Sequence, residues 1–238
     1  MLKDSYIISY RSATCGSFFS ALIYSWLKDH DFSTHIFPKS GHAHYFEKIV
    51  ATSRNPNINA IHQSLDFDLL NSNIQTCQHF HIHHTVNDLE VIAAFRLMKL
   101  SSLFVQSKLD FLGDFTDPLI KTAWSKVYSI SDPTLKIKTC IDIIKDVYLG
   151  DIKDGLNPYG ENEFVKNDYF VPCPNEKTLN IAFSELINNP ESILRDLTEC
   201  LQVDMPAHIP VFYQNYLTAN KLLLEKHCPW LTYCMSNT

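Results

Sequence analysis

Glycine is scarce here: six residues in 238. A chain built on glycine-rich linkers or repeated glycine turns is excluded, and each glycine that does occur marks a place where the backbone needs one. No run of about eighteen apolar residues exists, so no segment is expected to cross a membrane as a helix. Positive charge is in the minority, with 20 Lys and Arg against 26 Asp and Glu and a net charge of −6. General affinity for nucleic acid needs a basic excess, so nucleic acid is not an expected partner. The seven cysteines form no Cys-x-x-Cys pair. They read as reduced thiols of a cytoplasmic protein and not as a disulfide framework. The first residues hold no basic stretch followed by an apolar one, so no secretion signal is expected.

What the chain does have is apolar material, 45% of residues, enough to bury a core. It also has alternating strand and helix patterns. Tyr6–Ser9 reads as a buried strand. Phe18, Phe19, Leu22, Ile23, Trp26 and Leu27 recur at helical spacing. Helical stretches are expected around Tyr45–Thr52 and Ile58–Leu70. The alternating His79-Phe80-His81-Ile82-His83-His84 predicts a strand. The unbroken apolar run Glu90–Phe95 predicts a central parallel strand at Val91–Phe95. A helix is expected over Arg96–Phe111, and a mostly helical insertion over about 113–169. Residues Tyr148–Asn162 read as a surface loop. Thr178–Phe183 predicts the last strand. Asn189-Pro190-Glu191 is a helix start, with Pro in the first turn. A final amphipathic helix covers Val211–Lys226, packed on the domain or on a second chain. The expected architecture is one three-layer α/β domain over residues 1–238, with a mainly parallel central sheet.

The junction of the first strand and first helix is the most informative segment. It runs Arg11-Ser12-Ala13-Thr14-Cys15-Gly16-Ser17-Phe18. A strand, a small-residue loop and a helix place the free N–H groups of the first helical turn, and the positive end of its dipole, at one point. Gly16 allows close approach, Thr14 and Ser17 add hydroxyls, and Arg11 adds a fork of donors. Lysine is missing from Gly16-Ser17-Phe18, so the Walker pattern of an ATPase or kinase is not met. An ordinary strand-to-helix turn is the alternative.

Three landmarks in order resemble the sulfotransferase family of P-loop proteins. The first is the Thr14–Phe18 loop after a strand. The second is Val91-Ile92-Ala93-Ala94-Phe95 followed by Arg96, with Ser101, Ser102 or Ser107 beyond it; Gln106-Ser107 is the better match. The third is Ile181–Glu191, a strand leading into Asn-Pro-Glu and a helix. The resemblance implies a P-loop fold and the cofactor 3′-phosphoadenosine-5′-phosphosulfate. Its 5′ end would lie on Arg11, Ser12, Thr14, Cys15, Gly16, Ser17 and Phe18, and its 3′-phosphate on Arg96 and Ser107. The family's basic loop residue aligns with Thr14, and no Arg-Lys-Gly segment is present.

Six of the eleven histidines cluster in two places, at 42–44 and 79–84. By period two, His79, His81 and His83 share one strand face, and Phe80, Ile82 and His84 the more apolar other. His84 ends that row at the carboxyl end of a strand, where ligands of open α/β sheets bind. In sulfotransferases a histidine past a strand takes the acceptor's proton, a task that suits neutral imidazole. His84, then His83, are the candidates, with Arg11 as the charge stabiliser. Solvated or core-satisfied histidines are the alternative. The His42-Ala43-His44 and His81-Ile82-His83 pairs also raise a metal reading, but no carboxylate stands beside either at a ligating spacing, so no metal is expected. Pro38-Lys39-Ser40-Gly41 spells a cofactor loop but follows a helix and does not precede one. His42 and His44 more naturally line the acceptor side or a polar surface loop.

The expected function is sulfuryl transfer to a hydroxyl or amine of a small-molecule or carbohydrate acceptor. The competing readings are a nucleotide-binding module without turnover and a kinase-like phosphotransferase. The last needs a Mg²⁺ carboxylate, for which Asp88 is the candidate.

Overall fold

The computed structural model describes residues 5–10, 14–34, 50, 57–61, 67, 76–95, 127, 129–153 and 168–231. Four strands form one all-parallel sheet: β1 (Ser5–Tyr10), β2 (Asn57–Ile61), β3 (Gln78–His83) and β4 (Thr178–Ala182), in the order β2-β1-β3-β4. The helices are α1 (Gly16–Lys28), α2 (residues 89–95), α3 (Pro133–Lys153), α4 (Phe183–Asn188), α5 (Pro190–Leu201) and α6 (Ile209–His227). Short 3₁₀ turns occupy Val86–Asp88 and Asp168–Phe170. The expected α/β class and parallel sheet are therefore what the chain adopts.

The main core lies on one face of the sheet. Tyr6, Ile8 and Tyr10 of β1 and Phe80 and Ile82 of β3 point to it, and α1 packs Phe18, Phe19, Leu22, Ile23 and Trp26 against them. Phe19 meets Phe80 edge-on, with ring centroids 5.6 Å apart. Behind α1 lies α6. Phe18 stacks on Tyr216 with centroids 3.8 Å apart and planes 3° from parallel, and it also touches Phe212 and Tyr213. The Tyr213 hydroxyl, buried there, donates to the Leu186 carbonyl, as a buried phenol must find a partner. Helix α5 starts where the sequence places it. Asn189 accepts from the Ser192 N–H, with Pro190 in the first turn.

Four expectations need correction. Val91–Phe95 is helical, part of α2. Leu89 and Val91–Phe95 are all buried, and an apolar run of this length does not distinguish a buried helix from a buried strand. What opens the helix is Thr85 and Asp88: the Asp88 carboxylate accepts from both the N–H and the hydroxyl of Thr85. Residues 57–61 form a strand and not the start of a helix. Asn57 and Asn59 alternate with Ile58 and Ala60, and β1 supplies the backbone partners. Phe183 begins α4, and residues 148–153 continue α3 instead of looping. The expected stretches 45–52 and 62–70, apart from single residues, and 96–111 lie outside the described residues.

The second face of the sheet mixes polar groups with a small apolar cluster of Ile7, Ile61, Phe67, Tyr169 and Cys173. Ser9, His79, His81, Thr178 and Asn180 line it, and residues 168–173 cross it as an irregular strap. An irregular segment leaves backbone groups without a ladder, so the surface beneath it has to supply partners. Cys173 N–H donates to the Asn180 side-chain oxygen at 2.7 Å, and the Asn180 amide returns a bond to the Cys173 carbonyl at 2.9 Å. The Tyr169 hydroxyl donates to the carbonyl of Ile61.

Candidate functional site

The β1 and β3 register sets Ser9 beside His81 and Tyr10 beside Ile82. The turn that follows β1 and the residues that follow β3 therefore emerge at the same carboxyl edge of the sheet. On one side stand Thr14, Cys15, Gly16 and Ser17; on the other stand His83, His84, Thr85 and Asp88. Of the cofactor and catalytic residues expected from sequence, these are the ones the fold brings to one edge. Arg11, Ser12, His42, His44, Arg96 and Ser107, together with the 38–41 segment, lie outside the described residues. Arg96 follows helix α2, so the strand-then-Arg landmark is not met there; β3, one of the two strands beside β1, ends in histidines.

The turn is tightly built. Cys15 takes a left-handed conformation at φ 65°, so it is Cys15 and not Gly16 that needs the rare backbone shape. Gly16 serves a different purpose. The Tyr10 ring lies against its Cα, where any Cβ would collide. Thr14 is 0% and Cys15 5% exposed, while Ser17 is half-buried. Phe18 is core, stacked on α6, and does not face a ligand. Cys15 contacts Tyr216, whose hydroxyl burial pushes well above the usual phenol range.

The histidines divide into three environments. His79 and His81 are fully buried and joined through Ser9: His79 Nε2 and His81 Nδ1 both lie 2.8 Å from Ser9 Oγ. His79 Nδ1 meets the Thr178 hydroxyl at 2.9 Å, and His81 Nε2 meets the Val171 carbonyl at 3.0 Å. Burial, with His81 beside it, drives the His79 pKa down to about 3. His84 is 0% exposed; its N–H donates to the Tyr169 carbonyl and its ring meets Phe170 edge-on at 4.3 Å. His83 is half-buried at the strand end. Burial lowers its pKa, and the Asp88 carboxylate pulls it partly back. Asp88 is 5% exposed, and one of its carboxylate oxygens is held in the Thr85 cap.

Another constellation is formed by residues that sequence reading passes over. Ser25, His208 and Asp29 stand in the order of a nucleophilic triad, with His208 Nε2 at 3.1 Å from Ser25 Oγ and Nδ1 at 3.7 Å from Asp29. The proton order is wrong for that chemistry. The Ser25 hydroxyl donates to the His30 carbonyl, so its oxygen accepts from His208 instead of giving it a proton. Ser25 is also fully buried. The cluster ties the end of α1 to the start of α6.

Ser9, Thr178, Asn180 and Tyr169 are the site-forming residues that sequence reading missed. Ser9, Thr178 and Tyr169 gain their meaning from partners about seventy or more residues away, and Asn180 from an irregular segment seven residues before it, none of which a local pattern reveals. The thiols bear on reactivity only by exclusion: burial pushes Cys140 and Cys228 up to about 11, which keeps them protonated and unreactive. Comparison with protein-family models, with curated proteins and with solved structures returns no match for this chain.

Proposed function

We propose that this chain is a sulfotransferase-like enzyme that uses 3′-phosphoadenosine-5′-phosphosulfate and a hydroxyl or amine acceptor. The observation that carries the reading is the β1–β3 register, which sets the strand–turn–helix junction and a histidine-bearing strand end at one edge of a parallel sheet, a geometry that suits an anion. The chemistry of the donors suits an anionic nucleotide. The α1 N-terminal turn offers backbone N–H groups, and among the described residues of the turn half-buried Ser17 is the hydroxyl that solvent reaches. Arg11, carried over from the family resemblance, would add charge-assisted bonds. The nucleotide supplies the activated sulfuryl group; the protein supplies position and charge stabilisation.

His83 suits the proton-accepting role better than His84. It is reachable from solvent, and burial holds it neutral at neutral pH. His84, sealed against Phe170, positions the strand end. Two features favour a second reading, a nucleotide-binding module without turnover. Thr14 is buried where the family places a basic residue, and Tyr10 fills the space over Gly16.

Thermal-shift titration with adenosine 3′,5′-bisphosphate, with ATP and Mg²⁺ as comparison, tests binding; radiolabelled transfer to an acceptor panel tests turnover. The bisphosphate is expected to raise the midpoint, since a ligand that binds the native state alone must do so. Transfer that falls about a hundredfold or more in His83→Ala, with binding intact, supports the enzyme. Binding without transfer favours the module, and no shift with the bisphosphate withdraws both readings.

A further inference from the structure

We propose that Asp88 is a positioning residue for the reaction set out above: pinned beside the end of β3 by Thr85, its carboxylate balances the charge that the His83 ring acquires on taking the acceptor's proton. The inference rests on the sulfotransferase-like reading and adds a residue to its proton-transfer step.

The geometry starts from the turn after β3. Thr85 follows the strand end by two residues and caps the helical run that opens with Val86–Asp88. Asp88 Oδ2 accepts from the Thr85 N–H at 2.6 Å and from the Thr85 hydroxyl at 2.9 Å. The side chain is thereby folded back onto the peptide that joins His84 to Thr85, next to the residues that end β3. Two donors on one oxygen fix its direction, so the charge is in place before any substrate arrives. Asp88 is 5% exposed, and a carboxylate so covered is little screened by solvent. Capping alone does not ask for that charge. An amide oxygen at the same position would accept both Thr85 bonds, whereas a buried carboxylate costs desolvation that a neutral cap avoids.

His83 is where that charge has a use. In the proposed step the acceptor's oxygen or nitrogen bonds to sulfur and gives up its proton to His83. The sulfur–oxygen bond to the nucleotide breaks, and its electron pair stays on the 5′-phosphate. The neutral imidazole thus becomes a cation in a half-buried place. Burial opposes that cation, and the Asp88 carboxylate favours it. Among the described residues, the other titratable group at the ring is His81, also from β3, with centroids 6.1 Å apart. Ala182, the β4 partner of His83, brings none. Two tasks are thereby separated: His83 meets the acceptor, and Asp88 acts through His83 without touching substrate.

Nitrogen-15 and carbon-13 spectra of the full chain test the pairing without any substrate. In Asp88→Asn, which keeps the cap acceptor and loses the charge, the His83 titration midpoint is expected to fall, because the folded site no longer favours the imidazolium. In Thr85→Ala, which loses a cap bond and keeps the charge, the midpoint is expected to move less. Equal midpoints in wild type and Asp88→Asn, or a larger shift in Thr85→Ala, overturn the inference and leave Asp88 as a cap. If Asp88→Asn fails to fold, the wild-type Asp88 carboxyl carbon decides: an inflection at the His83 midpoint supports the pair, and a trace without one overturns it. Radiolabelled transfer is the second arm. In Asp88→Asn the acid limb of kcat/KM is expected to move to lower pH, and the plateau to fall by less than the roughly hundredfold expected of His83→Ala. An acid limb that stays in place overturns the inference. Wild type that binds the bisphosphate but transfers nothing withdraws the enzyme reading and with it the part of Asp88 in a reaction, while the titrations decide separately whether the pair exists.

Discussion

Phe18 shows how a single side chain can carry two opposite meanings. Its place after Gly16-Ser17 gives it to a nucleotide loop, whereas its ring, 0% exposed and stacked 3.8 Å from Tyr216, gives it to the core. The two meanings separate in solution. Phe18→Ala removes a fully buried aromatic and leaves a cavity between α1 and α6, so a loss of about 3–5 kcal/mol is expected in urea unfolding. A ligand-contact residue would instead change nucleotide affinity with little change in the urea midpoint. Cys15 carries a different burden: a left-handed backbone at φ 65° costs a side-chain-bearing residue about 1 kcal/mol, yet its thiol packs on Tyr216. Gly16, the residue sequence reading assigns to close ligand approach, instead admits the ring of Tyr10.

Among the elements, α2 is the instructive one. Its apolar run gave no period from which to choose helix or strand, but Thr85-Val86-Asn87-Asp88 ahead of it spells a capping box, and the structure makes both of its bonds. Thr85→Ala is expected to lower stability by about 1 kcal/mol, as cap removal does, measured as a shift in the urea midpoint without a change in slope. Strands β1, β3 and β4 and helices α1, α5 and α6 were legible because each carries its own signal: alternation, a clean apolar stripe, or Asn-Pro-Glu. β2 was not, because NINAI is short and becomes a strand through pairing with β1. The candidate site was legible only as a place, the carboxyl edge. The choice between His83 and His84 depends on burial by Tyr169 and Phe170, residues that the chain reaches some eighty positions later.

For the molecule as a whole, the buried histidines set a direction for its response to acid. The folded His79 value, about 3, lies below the ordinary 6.5, and burial shifts His83 the same way. Between those values the unfolded chain binds a proton that the folded chain refuses. Stability is therefore complete above about pH 6.5 and is lost as pH falls toward 3, at up to about 1.4 kcal/mol per pH unit for each such group. Urea midpoints are expected to fall from pH 7 to pH 5, and His79→Leu is expected to flatten that slope; a flat wild-type profile would remove His79 as its source. The stack of Phe18 on Tyr216 has a further consequence, in time instead of energy. Helix α1 finds its outer wall in α6, so Phe18 is made about 200 residues before its partner Tyr216. At roughly 5–20 residues per second, Phe18, Phe19 and Trp26 wait about 10–40 s for that wall to be synthesised. During that interval the nascent chain displays an aromatic helix without its wall, and that helix stays sticky until α6 is made.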